Sequence, residues 1–130
     1  MSADKRIAAF LAIAEEELQA ARMLAEPLPR QAAFFLQQAA EKVARAVLTR
    51  EGINAGISHS LRYLGEAMPA GHALRLRIIA LDRLSSAATR LRYPSEVGRV
   101  APAPLAGTLQ VDIGEIAALI EDARRHLGLD

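Results

Sequence analysis

The sequence predicts an all-α protein, an antiparallel up-and-down bundle of four to five helices. Alanine and leucine, at 27 and 18 of 130 residues, dominate a chain that is 52% hydrophobic, and both favour helix over strand. Apolar residues recur at three-and-four spacing over stretches of about twenty residues, the signature of one buried helical face. The prolines fall between those stretches and not within them.

The first stretch runs from about Ala3 to Ala25, with Ile7, Phe10, Leu11, Ala14, Leu18, Ala21 and Leu24 on one face. Pro27 and Pro29 end it, and Pro29 is placed to open the next helix in its first turn. The second stretch, about Arg30 to Arg50, carries a stripe of Ala32, Ala33, Leu36, Ala39, Ala40, Val43, Ala46 and Val47. Its small side chains admit close approach of another helix. Gln37, Gln38, Glu41, Lys42 and Arg45 lie beside that stripe, and Gly52 is a natural C-terminal stop.

Residues 52–59 read as a loop, after which Ser58 or Ser60 caps a short helix carrying Leu61, Leu64 and Met68. A third long helix is expected from about His72 to Arg92, with Leu74, Ile78, Leu81, Leu84, Ala88 and Leu91 inward. Pro94 ends it and forces Tyr93 out of helical geometry. A proline- and glycine-bearing loop follows; loops of such length in a small domain tend to be functional or mobile. Asp112 and Glu115 have capping-box spacing, so the last helix is expected to begin there and carry Ile113, Ile116, Ala117, Ile120, Ala123 and Leu127. One stripe per helix requires the stripes to meet, giving a single domain over 1–130.

Composition removes several kinds of function. Without cysteine there is no disulfide framework, thiolate metal site or cysteine nucleophile. Only His59, His72 and His126 are available as imidazole ligands, and Glu-x-x-His, His-Glu-x-x-His, phosphate-loop and Gly-x-Ser-x-Gly motifs are absent. Neither metal nor cofactor is expected. No apolar run approaches the about 20 residues of a membrane span, and the N-terminus does not read as a secretory signal. The expected location is cytoplasmic, with no membrane association. The formal net charge is +1, so no reading of DNA sequence is expected, yet residues 75–99 hold six arginines against Asp82 and Glu96. Such a run attracts phosphate or an acidic partner, or is a solvated helix face.

Three groups of residues merit attention as candidate ligands. On the second helix Gln38 and Lys42 share one face, and Glu41 and Arg45 the neighbouring one. Ordinary surface pairing would use the same residues. His59 stands just before the short helix, where an imidazole can bond a carbonyl, cap a helix or meet a phosphate. Arg92-Tyr93-Pro94 joins a planar guanidinium fork to a stacking ring with a hydroxyl. A helix end whose arginine satisfies terminal carbonyls, and whose tyrosine covers the core, would have the same string.

Taken in order, Gln37-Gln38-Ala39-Ala40-Glu41-Lys42, His59-Ser60-Leu61 with Leu64, Arg92-Tyr93-Pro94 and Glu121-Asp122-Ala123-Arg124 resemble the HEPN domain family over nearly the whole chain. The resemblance implies a small antiparallel helical bundle, often a homodimer. Stand-alone members are commonly paired with a minimal nucleotidyltransferase in a toxin–antitoxin-like couple. Many other members are metal-independent ribonucleases that use Arg-x(4–6)-His across a dimer cleft. This sequence departs from that pattern, because no arginine stands at the required spacing before His59, His72 or His126. The expectation is therefore a nucleotide-binding or partner-docking module with Arg92, Tyr93, His59, Lys42, Gln38 and Glu41 as candidate nucleotide or phosphate ligands. The alternative is an RNA endonuclease built on the same cleft.

Overall fold

In the computed structural model, which describes residues 2–129, the helices are α1 (Ser2–Leu24), α2 (Pro29–Arg50), α3 (Leu61–Glu66), α4 (Arg75–Ala80) and α5 (Ala106–His126). A 3₁₀ segment, Leu81–Ala88, continues directly from α4. There is no strand among the described residues. The terminal residues of the expected 1–130 domain, Met1 and Asp130, lie outside the described ones.

The ion pairs between elements fix their directions. Lys42 reaches Glu17 at 3.1 Å and Arg50 reaches Asp4 at 3.6 Å, so α1 and α2 are antiparallel. Arg77 meets Asp122 at 2.6 Å and Arg83 meets Asp112 at 2.8 Å, so α4 with its 3₁₀ extension runs antiparallel to α5. Arg50 donates to the Leu127 carbonyl at 3.0 Å, bringing the C-terminal ends of α2 and α5 to one end of the bundle. The result is the expected up-and-down bundle, with the short α3 packed against α2 and α4.

The core follows the predicted stripes closely on α1 and α2. Ile7, Leu11, Ala14, Leu18 and Ala21 are buried, as are all eight residues of the α2 stripe. Gln37 and Glu41, expected beside that stripe, are buried as well, which makes α2 the central helix. Its end is a Schellman turn: Gly52 at φ +70° donates to the Thr49 carbonyl and Ile53 to that of Leu48. Both donors thus satisfy carbonyls the helix leaves open.

Two boundaries differ from the sequence reading. The helix expected over His72 to Arg92 is an α-helix only over Arg75–Ala80 and turns 3₁₀ at Leu81. From Ile78 onward its buried residues, Ile78, Leu81, Leu84 and Ala87, repeat every three positions, the period of a 3₁₀ turn. Polar side chains hold that winding. Asp82 accepts from the Arg62 N–H (2.9 Å) and the Ser85 hydroxyl (2.9 Å), and Ser85 accepts from the Leu61 N–H (3.0 Å). The segment is thereby stitched to the first turn of α3, where Ser60 is the N-cap and accepts from Tyr63 at 3.2 Å.

The last helix begins at Ala106, soon after Pro104, and not at Asp112. Leu109 is buried and extends the stripe one turn earlier. Asp112 caps nothing; it is buried within the helix and bound by Arg83.

Candidate functional site

The conserved geometry of an α-helix decides where the candidate ligands meet. Positions 34, 37, 38, 41 and 45 of α2 fall on one side, since seven residues complete nearly two full turns. Two clusters form along that side, about 10 Å apart on the helix axis.

The lower cluster is a hydrogen-bonded chain. Lys42 bridges Glu17 and the Gln38 amide oxygen, the latter at 3.2 Å; Gln38 donates to Gln37 at 2.7 Å. Gln37 in turn donates to the His59 carbonyl at 3.0 Å and to Glu41 at 3.3 Å. The Glu41 carboxylate also receives His59 Nδ1 at 2.9 Å and Arg45 Nε at 3.2 Å. Arg45 extends further to the carbonyls of Gly56 (3.0 Å) and Ser58 (2.7 Å), pinning the loop that delivers His59.

Burial would push the Glu41 carboxyl up, but the bonds from His59, Gln37 and Arg45 outweigh it and hold the group below the usual carboxylate range. An ionised Glu41 accepts only, so His59 donates from Nδ1 and keeps Nε2 as its free nitrogen. The imidazole side chain is 62% exposed while its partner Glu41 is 7% exposed. A buried anion therefore orients a surface histidine. Glu17 behaves oppositely: burial raises it, and the bond and charge of Lys42 only partly offset that.

The upper cluster surrounds Phe34. The Arg92 guanidinium lies 4.3 Å from the centre of the Phe34 ring and 5.6 Å from that of Tyr93. Cation–π contact of this kind spends none of the five guanidinium N–H donors on a hydrogen bond. Arg92 makes no side-chain hydrogen bond or ion pair among the described residues. These groups line a groove of about 490 Å³ with Arg30, Phe35, Leu91 and Val100. Phe34 and Phe35 meet edge-on at 5.5 Å. The loop after Pro94 closes one side and is anchored where Arg30 donates to the Ala101 carbonyl.

The six predicted residues thus divide. Gln38, Glu41, Lys42 and His59 belong to one network, and Arg92 with Tyr93 to the other cluster. Phe34, Arg30 and Gln37 were not singled out from the sequence as ligands. The only signal for Phe34 is its position seven residues before Glu41. Two of the six arginines of the basic run are also committed elsewhere: Arg77 and Arg83 serve ion pairs to α5.

A family profile for the HEPN domain matches residues 7–127. The chain belongs to the HEPN family. No curated protein and no solved structure matches it. The HEPN match takes in most of α1, all of α2, the His59 loop, the Arg92-Tyr93-Pro94 junction and all of α5. No described helix is long and apolar enough to cross a membrane, and no group of three or more potential metal ligands occurs among the described residues.

Proposed function

We propose that this HEPN protein is a nucleotide-binding module whose ligand occupies the groove beside Phe34. The observation that carries the reading is Arg92, which has no side-chain hydrogen bond or ion pair among the described residues and lies over two aromatic rings in the lining of that groove. A nucleotide needs a flat apolar surface for the base and a rigid cationic fork for phosphate. Phe34 and Tyr93 offer the first, and Arg92 with Arg30 the second. His59, Glu41, Gln38 and Lys42 lie further along α2, where the exposed imidazole faces the extended end of a longer ligand.

Calorimetric titration of nucleotide-free protein with ATP and GTP tests this. Saturable micromolar binding is expected, weakened roughly tenfold or more by Arg92→Ala, the loss of one charge-assisted contact. Heats equal to dilution would remove the nucleotide reading. The same proposal includes a homodimer and docking to a nucleotidyltransferase in a toxin–antitoxin-like pair. Family membership supports it, together with the exposed Val97, Val100, Leu105 and Val111 on the loop after Pro94 and the start of α5. Light scattering of the protein alone and mixed with a minimal nucleotidyltransferase tests it, and a monomer in both samples counts against it.

One observation favours the second reading, metal-independent RNA cleavage. The Glu41–His59 pair holds an imidazole with an outward Nε2, as a general base requires. Cleavage also needs a cation on the phosphorane, and Arg92 contacts a different stretch of α2, so a second copy would have to supply it. RNA left intact by the wild type in the presence of a chelator, or cut equally by His59→Ala, would exclude this reading.

A further inference from the structure

A second cleft, of about 370 Å³, is lined by the first half of α1, the end of α2 and residues 52–55. Phe10, Leu48, Ile53 and Ala55 form its apolar wall, and its polar lining consists of Arg6, Arg45, Thr49 and Asn54, with no acidic side chain. Arg6 is exposed and rests over the Phe10 ring at 4.9 Å. It has no hydrogen bond or ion pair among the described residues. Arg45 uses three N–H groups on Glu41, Gly56 and Ser58, so two of its five donors remain. Asn54 accepts from the Gly56 N–H through Oδ1 at 2.9 Å, which leaves its amide NH₂ unspent. A cleft that offers many donors, no anionic acceptor and one apolar wall is suited to an amphipathic oxyanion.

We infer that this cleft is a second ligand site, taking a small phosphomonoester whose apolar body lies on Phe10 and Ile53 and whose phosphoryl oxygens meet Arg6, Arg45 and the Asn54 amide. The site does not depend on the nucleotide groove. It is joined to the lower cluster, because Arg45 also binds Glu41, which holds the His59 ring. Occupation is therefore felt at His59 through a single shared arginine.

The test is a nuclear magnetic resonance titration of the ¹⁵N-labelled full chain with phenyl phosphate, inorganic phosphate and phenol. Phenyl phosphate is expected to saturate at millimolar concentration or below, shifting the Gly52, Ile53 and Asn54 amides and the His59 imidazole. Arg6→Gln, at an exposed and unpaired position, should weaken it roughly tenfold or more, while Arg92→Ala leaves it unchanged. Shifts that never saturate, shifts centred on Arg92–Pro94, or equal affinity in Arg6→Gln would overturn the site. Inorganic phosphate or phenol binding as tightly as phenyl phosphate would overturn the amphipathic ligand. Loss of ATP binding in Arg92→Ala with phenyl phosphate binding intact would separate the two sites.

Discussion

Glu41 receives three donors of different kinds, and its charge is what lets it serve all of them. In Glu41→Gln only one oxygen remains for His59, Gln37 and Arg45, and an amide NH₂ is turned toward one of those donors. The expected cost is about 1–3 kcal/mol, the range for leaving a buried polar group unsatisfied, read as a lower urea midpoint. The folded carboxyl lies below its usual value of 4.5, so its contribution is complete above that pH and is lost as pH falls through the folded value. The variant should show a flatter acid limb and lose the fixed Nδ1–H tautomer of His59 in imidazole spectra. An unchanged midpoint and tautomer would show that the network does not orient the ring. Of these roles, the i,i+4 pairing of Glu41 with Arg45 was legible in the sequence. That Gln37 would be buried and bond the His59 carbonyl was not, because it depends on where a loop 22 residues away returns. Arg92 finding Phe34 depends likewise on a tertiary approach that local spacing does not encode.

At the scale of elements, the long stripes of α1, α2 and most of α5 were readable because each turns a continuous apolar face, at three-and-four spacing, into the core. The third rung was not, although Ile78, Leu81, Leu84 and Ala87 print a three-residue period that an α-helix would rotate off its face. The short elements are held by close contact and side-chain stitches more than by helix propensity, and Gly65 shows this. A Cβ placed there would come within 2.6 Å of Ile79 Cγ1 and 3.3 Å of the Arg75 carbonyl, so α3 and α4 meet through its bare backbone. Gly65→Ala should therefore destabilise the fold, by about 1–3 kcal/mol from overpacking, despite the better helix propensity of alanine. A denaturation midpoint at or above that of the wild type would mean that α4 shifts freely against α3.

Across the whole molecule, ion pairs between elements fix the register that many small side chains leave loosely specified. Arg83, from the 3₁₀ segment, is the sole ion-pair partner of Asp112 among the described residues, and the Asp112 side chain is only 5% exposed. Arg83→Ala should cost about 2 kcal/mol by leaving that carboxylate unpaired, and adding Asp112→Ala should recover part of the loss. A double variant less stable than the single one would contradict this. At one end of the bundle His72 precedes α4, His126 ends α5 with its ring centroid 4.5 Å away, and Glu51 caps α2. His72 Nδ1 accepts the Leu74 N–H at 3.1 Å, which requires an unprotonated nitrogen. Burial, then the charge of His126, lowers its pKa from 6.5, against the opposing pull of Glu51. Between the folded value and 6.5 the unfolded chain binds more protons, so stability falls as pH drops through that window and levels off below it. Replacing the ring by His72→Asn should remove that step from urea midpoints measured between neutral and mildly acidic pH. A step of the same size in the variant would place the acid sensitivity elsewhere, because among the described residues at this end of the bundle His72 is the one that combines burial with a bond that protonation must break.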